Sequence, residues 1–218
     1  MYDTVFAVLS NPVEGRETEF VDWYTGTHVP DLAKIPSVVA SQRFRCVDAP
    51  KRAAYASLVL TEVADVQETI TSIKERNGTP ALSSTDSIDK AKTTSWYAES
   101  VVDVSLDDTA APDRVLICLD PANASAALEN DDQNVLRTFL DLAGATSGQI
   151  LRPTQVQSRP TLNWTWFCLL RVPDGRVASQ QIGTQRQALA ALFDRLGANA
   201  ETRLVAAFAP DTDRLSQS

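Results

Sequence analysis

The feature that most constrains the fold is a repeat in the order of the predicted elements. Strand-like apolar runs and helix-period runs follow one another as β-α-β-β-α-β in residues 1–106, and the same order returns in residues 114–210. The acidic stretch 107–113 (DDTAAPD) is predicted to be a linker, and residues 211–218 a tail. This element order is typical of the split βαβ, or ferredoxin-like, unit.

Periodicity and turn residues give the expected bounds of each element. We expect strands at 2–10, 38–47, 54–61, 93–104, 114–119, 149–157, 164–172 and 202–208, and helices at 16–26, 64–76, 124–142 and 179–196. Pro30 is expected to interrupt the first helix, and Pro36 to end a short helical piece that follows.

A ferredoxin-like sheet carries both helices on one face, so its other face must be buried elsewhere. The simplest solution is a closed α/β barrel made by one chain from two such sheets. We therefore predict an α+β fold of tandem ferredoxin-like repeats that form an intrachain dimeric α/β barrel. In the third strand, Ala56, Leu58 and Leu60 are expected to meet the helices. Tyr55 and Ser57 would then point into a cavity.

Charge and cysteine usage exclude several classes of protein. The chain has 20 basic and 28 acidic residues, a formal net charge of −8, which disfavours nucleic-acid binding and adhesion to anionic membranes. Its three cysteines are widely spaced without a CxxC pair, which indicates reduced thiols. The start of the chain lacks a signal-peptide pattern, and no apolar run is long enough to span a bilayer. We expect a soluble, cytoplasmic protein.

The sequence also predicts a protein without a cofactor. It contains no GxGxxG motif, P-loop or GxSxG elbow, so nothing indicates NAD, FAD, ATP or a serine hydrolase. With one histidine and scattered cysteines, no metal site is expected.

That single histidine, His28, is the main candidate for acid/base chemistry, because imidazole is the side chain that titrates near neutral pH. It follows Asp22 and Tyr24 and precedes Asp31. Either carboxylate could accept a hydrogen bond from the ring, fix its tautomer and raise its pKa. The alternative is a structural histidine that caps the last carbonyls of a helix.

The run around this histidine resembles a known protein family. Its matching residues are Glu19, Phe20, Trp23, Tyr24, His28, Pro30, Ile35 and Pro36. They are similar to the N-terminal signature of the EthD-like branch of the dimeric α/β-barrel superfamily, with Ser37 in place of the usual glycine. The resemblance covers roughly residues 1–60, and the second repeat has no counterpart of it. It implies the barrel fold and a histidine at a cavity between sheet and helices.

Relatives of this superfamily include polyketide cyclases, muconolactone-type isomerases, quinol-forming monooxygenases and haem-containing aldoxime dehydratases. The resemblance therefore implies a fold and leaves the reaction open.

Two further residues are candidate partners for a negatively charged oxygen. Arg43 shares a strand face with Arg45, and either could stabilise an oxyanion if that face lines the cavity; otherwise one pairs with a nearby carboxylate. Tyr55 could donate a hydrogen bond to a substrate, or could simply line the barrel.

A set of aromatic and small polar residues is predicted to bind substrate. These are Trp23, Tyr24, Ser57, Trp96, Trp164 and Trp166. The tryptophans would suit a flat, apolar ligand, or else pack one sheet against the other in a filled barrel. The segment 79–92 is long for a connection and forms either a flap over the cavity or a surface insertion.

These features predict a cofactor-independent enzyme of the lyase, isomerase or cyclase type. It would use His28 for proton transfer in an isomerisation, cyclisation, elimination or hydration of an apolar, aromatic or polyketide-like substrate. The alternatives are a cofactor-free monooxygenase of a quinol-like substrate and a non-enzymatic barrel that binds a small ligand. The expected partner is a small apolar or aromatic molecule, in a monomer with an internal pseudo-dimer or in a homodimer.

Overall fold

The structure, a computed structural model, describes residues 3–49, 55–106, 111–119, 132–157, 166–184 and 204–216. Its strands are β1 (Thr4–Ser10), β2 (Val38–Asp48), β3 (Ser57–Val63), β4 (Thr94–Ser105), β5 (Asp113–Leu119), β6 (Ser147–Pro153), β7 (Trp166–Val172), β8 (Leu204–Pro210) and β9 (Leu215–Ser216). Its α-helices are α1 (Glu17–Trp23), α2 (Val29–Leu32), α3 (Val66–Arg76), α4 (Asp132–Ala143) and α5 (Gly175–Thr184), with a π-helical turn at Tyr24–His28 and a 3-10 turn at Lys90–Lys92.

The strands form a closed antiparallel barrel, as the sequence predicts. The first repeat has the strand order β2-β3-β1-β4 and the second the equivalent order β6-β7-β5-β8. The two sheets join edge to edge through β4–β6 and β8–β2 pairing, which closes eight strands into one barrel. The short β9 adds to β2 next to Ala40 and Ser41. The prediction of two ferredoxin-like units that complete each other is confirmed.

Apolar side chains from both repeats fill much of the barrel interior. They are Val5, Ala7, Leu9, Phe44, Leu58, Leu60, Trp96, Ala98, Leu116, Cys118, Leu151, Phe167, Leu169, Ala206 and Phe208. Trp96 and Phe167 stack across the barrel with ring centroids 4.4 Å apart and planes 12° apart. The expectation for the β3 faces is wrong: Leu58 and Leu60 lie inside the barrel, whereas Val59 packs toward the helices. Both faces of the sheet are buried, so apolar character does not distinguish them.

The first helical segment differs from its prediction at Pro30. Helical backbone continues from α1 through the π turn into α2, with φ/ψ of −68°/−46° at His28 and −65°/−44° at Val29. The Val29 N–H donates to the Tyr24 carbonyl, five residues back, so the turn is wide. Pro30 has no N–H to place and sits in the first turn of α2, where a proline is tolerated. The π turn thus replaces the expected break.

In the second repeat the helices close tightly over the outer face of the sheet. Leu136, Phe139 and Leu140 of α4 pack on strand residues that include Ile150 and Leu170. α5 begins at Gly175, earlier than predicted, and the predicted helical residues 124–131 and 185–196 lie outside the described residues.

The described residues contain no helix long and apolar enough to cross a membrane. Cys46, Cys118 and Cys168 are free thiols, as their spacing predicts.

Candidate active site

The site lies outside the barrel, in a cavity of about 310 Å³ between the first sheet and its helices. Its lining consists of Phe6, Val8, Trp23, Tyr24, His28, Leu32, Ile73, Asn77, Leu82, Ser83, Ser84, Thr85, Ile88, Lys90, Thr93 and Ser95. Apolar and aromatic groups form most of the wall, and hydroxyl groups lie along one side. Such a lining suits a small, flat, mostly apolar ligand oriented by a few hydrogen bonds.

The π turn positions His28 at this cavity. His28 is the last residue of the turn, and its imidazole stacks on the Trp23 indole, with ring centroids 4.2 Å apart and ring planes 24° apart. The Tyr24 ring meets it edge-on at 5.5 Å. Trp23 is itself held, because its Nε1–H donates to Ser83 Oγ at 3.3 Å. π turns within α-helices occur often at functional sites.

Burial controls the charge of His28. It lowers the pKa of the imidazole to about 4, and the Asp31 carboxylate opposes this shift only in part. The ring is therefore neutral at pH 7. Its Nδ1 is enclosed and meets no hydrogen-bond partner among the residues that the structure describes. Among the described residues, Nδ1 therefore bonds neither a helix carbonyl nor a carboxylate.

The two predicted carboxylate partners lie in different surroundings. Asp31 is buried, and its Oδ1 accepts a hydrogen bond from Lys34 Nζ at 2.9 Å. Asp22 is exposed on the solvent side of α1. Neither forms a hydrogen bond with His28 in the described part of the chain. Of the two, only Asp31 has an electrostatic effect on the ring.

Arg43 lies on the helix side of the sheet, in a closed cage next to the site. Its Nε–H donates to Ser57 Oγ at 3.0 Å, and its guanidinium pairs with the Asp211 carboxylate. The guanidinium also lies 5.5 Å from the Phe20 ring and 5.6 Å from the Tyr24 ring. Burial lowers the pKa of Arg43 to about 10. Arg43 and Ser57 do not line the cavity; they support the wall that holds Tyr24.

Tyr24 connects that cage to the cavity. Its hydroxyl lies 3.0 Å from Ser10 Oγ, and burial raises the pKa of the phenol. Tyr24 is therefore a neutral, fixed wall residue.

Two other predicted residues, Tyr55 and Trp96, do not line the His28 cavity. Tyr55 packs against the apolar interior of the barrel, and burial raises the pKa of its phenol. Trp96 is part of the filled interior. Trp164 lies outside the described residues, and for Trp166 the structure gives only its backbone position in β7. Of the predicted tryptophans whose side chains the structure describes, Trp23 lines this cavity and Trp96 does not.

The segment 79–92 forms one wall of the cavity. It is tied to the first repeat by the Val13 N–H···O=C Ser87 bond of 2.7 Å and the Asp89 N–H···O=C Asn11 bond of 2.9 Å. Its residues Ser83, Ser84 and Thr85 contribute cavity hydroxyls that the sequence analysis did not assign. Its length and its Ser/Thr content were the available signal.

The described residues contain no group of three or more His, Cys, Asp or Glu side chains that could hold a metal ion. The chemistry that this cavity itself offers is that of one neutral imidazole beside aromatic walls and hydroxyl groups.

Comparisons with solved structures find proteins that share this fold. An anthrone oxidase-like protein superposes with a TM-score of 0.64 at 12% identity, over 98% of this chain and 92% of that protein. A provisionally assigned monooxygenase from Fusobacterium nucleatum gives 0.55 at 10% identity, over 100% and 96%. A chlorite dismutase variant from Candidatus Nitrospira defluvii gives 0.51 at 8% identity, over 96% and 92%. No protein-family model and no curated protein sequence matches this chain.

At these identities the comparisons establish the fold alone. The chain has the fold of the dimeric α/β-barrel superfamily, with both halves of the barrel in one polypeptide.

Proposed function

We propose that this protein is a cofactor-independent enzyme in which neutral His28 takes a proton from a flat, apolar aromatic substrate. The observation that carries this proposal is the neutral imidazole, stacked on Trp23 at the end of a π turn and facing an aromatic cavity. A neutral imidazole can accept a proton, and general-base catalysis typically contributes about 10²–10⁴-fold in rate. Because a base with a pKa of about 4 is weak, the proton must come from an acidic substrate or the pKa of the ring must rise when the substrate binds. The likeness of the run around His28 to the EthD-like branch agrees with this role.

The cavity favours a substrate that stabilises its own anion. Arg43 is bound to Ser57 and Asp211 behind the cavity wall, and Tyr55 packs on the barrel interior, so neither side chain lines the cavity to contact an oxyanion. Lys90 also belongs to the cavity lining, but its side chain is exposed to solvent at the cavity edge. An anthrone, or a naphthol as its keto tautomer, has an acidic ring CH₂ whose anion spreads its negative charge over fused rings, so it needs less help from the protein.

This substrate class makes oxygenation the preferred reaction. His28 removes a C–H proton, and the carbanion transfers electrons to O₂ and forms a C–O bond, giving a hydroperoxide after the proton returns. Loss of the second C–H proton breaks the O–O bond and releases water. The balance is R₂CH₂ + O₂ → R₂C=O + H₂O, with O₂ as the oxidant. The names of the structural neighbours, anthrone oxidase-like protein and monooxygenase, support the same class.

The second candidate is an isomerisation, cyclisation, elimination or hydration. It is favoured by the presence of one imidazole that can return the proton it has taken, without any need for O₂. Both candidates use a small aromatic partner. Because both repeats contribute to one closed barrel, we propose that a monomer is sufficient, with a homodimer as the alternative.

The test is an oxygen-electrode and mass-spectrometry assay with a panel of anthrones, naphthols and quinols. If the protein is an oxygenase, it should consume O₂ and form a product that carries ¹⁸O from ¹⁸O₂. His28→Ala should abolish both. Product formation without O₂, with an unchanged or water-shifted mass, would instead identify the second candidate. Capture of an unchanged ligand would identify a binding protein and contradict both enzyme readings.

Tyr55→Phe separates this site from the one expected from the sequence alone. Because Tyr55 does not line the His28 cavity, Tyr55→Phe should keep near-normal turnover. An oxyanion role for Tyr55 would require a clear loss.

A further inference from the structure

A second cavity, of about 320 Å³, lies inside one end of the barrel and is rich in arginine. We call it the barrel-end cavity; its side chains come from Gln42, Ala111, Pro112, Arg114, Gln149, Leu169, Arg171, Pro210 and Arg214. It is separate from the His28 cavity, which lies outside the barrel between sheet and helices.

The barrel-end cavity contains an unusual cross-strand pair. Arg114 of β5 and Arg171 of β7 are directly opposite each other in the antiparallel ladder, so their side chains share one sheet face. Like charges in that arrangement repel. Arg114 is buried and rigid: its Nη1 donates to the carbonyls of Ala111, Pro112 and Asp113 at 3.0 Å, and its guanidinium lies 5.2 Å from the Phe44 ring.

Arg171 is half-buried, and its Nε is enclosed without a hydrogen-bond partner among the residues that the structure describes. No described carboxylate lies within ion-pairing distance of its side chain. A buried, charged donor without an acceptor is unfavourable, and an anion in the adjoining cavity would satisfy it.

The charge balance around the cavity also favours an anion. Three arginines and no described carboxylate line it. Acidic residues beside the lining are bonded to other groups: Glu62 accepts from Arg214 Nη2 at 2.5 Å, Asp103 from Gln149 Nε2 at 3.3 Å, and Asp113 from the Gly175 N–H at 2.8 Å, while Asp211 pairs with Arg43. The lining itself thus carries arginine charge inside a chain whose net charge is −8.

We propose that the barrel-end cavity binds a small organic carboxylate, held by Arg171 and by the positive field of Arg114. A guanidinium matches a carboxylate in a planar, two-bond geometry. The apolar wall of Ala111, Pro112, Leu169 and Pro210 would take the hydrocarbon part of the ligand, which a bare inorganic anion lacks.

The test is calorimetric titration of the full chain with benzoate, hexanoate, succinate and inorganic phosphate, in a buffer of low chloride content. We expect saturable binding of at least one carboxylate, weaker at high salt because the contact is charged. Arg171→Gln should weaken it about tenfold or more. The matched control is Arg152→Gln: Arg152 lies on neighbouring β6 but is exposed and paired with Glu99 at 2.6 Å, so binding should be unchanged.

If Arg171→Gln folds poorly, Arg171→Lys can replace it, with thermal unfolding as a second measurement of binding. The lysine variant retains the charge and loses the planar fork, so it should bind more weakly than the natural chain. Carboxylate should raise the Tm of the natural chain more than that of the lysine variant. Absence of carboxylate binding, binding of phosphate alone, or equal affinity in the Arg171 variants would overturn the proposal.

Discussion

The outer faces of the two repeats have the same order of elements but different packing. In the described part of the second repeat, the side chains of Leu136, Leu140 and Leu170 pack closely around Gly148. In the first repeat, a cavity of about 310 Å³ remains at the equivalent layer, between helices and sheet, and His28 faces it. The described part of the second repeat is thus packed around Gly148, whereas the first repeat keeps a cavity beside His28. In the first repeat this open space lies in the helical layer, outside the barrel.

The local cause of the difference is the first helical segment. A regular α-helix through Pro30 would lose a hydrogen bond and clash with the preceding turn. The π turn at Tyr24–His28 accommodates the proline and ends on the imidazole. Among the described helices of the second repeat, α4 and α5 contain no such turn.

The largest expected effect is on turnover. His28→Ala should lower kcat/KM by about 10²–10⁴-fold, because it removes the proposed base. The Tm should change little relative to that loss, since the ring has no hydrogen bond to give up at Nδ1. Steady-state kinetics and thermal unfolding measure the two quantities. Turnover within a few fold of the natural enzyme would remove His28 from the mechanism.

The next effect is on the pH dependence of stability. The folded pKa of His28, about 4, is below its ordinary value of 6.5, so the unfolded chain binds more protons between these two pH values. The free energy of unfolding should therefore fall as pH drops from 6.5 to 4, by roughly 3 kcal/mol from this residue. Denaturant unfolding at a series of pH values tests this.

His28→Gln is the matched variant for that series. Its unfolding free energy should change less over the same pH range, because glutamine does not titrate. Parallel curves for the two proteins would mean that His28 is not buried as neutral imidazole.

A smaller change in the free energy of unfolding should report the packing around Gly148 in the second repeat. In Gly148→Ala the new Cβ would lie 2.8 Å from Leu140 Cδ2 and 2.9 Å from Leu170 Cδ2, so overpacking should cost about 1–3 kcal/mol. Gly183→Ala is the control, since nothing lies within 4 Å of its added Cβ and it sits in α5. It should gain up to about 1 kcal/mol. Equal stabilities for the two variants would contradict the tight packing.

The smallest effect tests the open layer directly. Val8→Phe places a ring in the His28 cavity without removing any polar group, so the first repeat should come to resemble the filled second one. Ligand affinity should drop about tenfold, or 1.4 kcal/mol, while the fold is kept. Calorimetry with a ligand identified from the panel of anthrones, naphthols and quinols would measure the affinity. Undiminished affinity would place the ligand elsewhere.

Much of this architecture could be predicted from local patterns. The element order follows from periodicity, and His28 stands out because it is the single histidine. Which face of β3 meets the helices could not be predicted, because Leu58 and Val59 are both buried. The π turn depends on how the chain packs around Pro30. The pairing of Arg43 with Asp211 joins the first repeat to the C-terminal segment, a contact that no local pattern contains.

The most direct test of the central claim is an NMR titration of the imidazole, which needs no assignment because the chain has one histidine. In the free protein the imidazole should have a pKa of about 4. A bound phenolic ligand should shift the ring signals and raise that pKa, since a phenolate favours the imidazolium. A pKa near 6.5, with signals that no aromatic ligand moves, would contradict the claim.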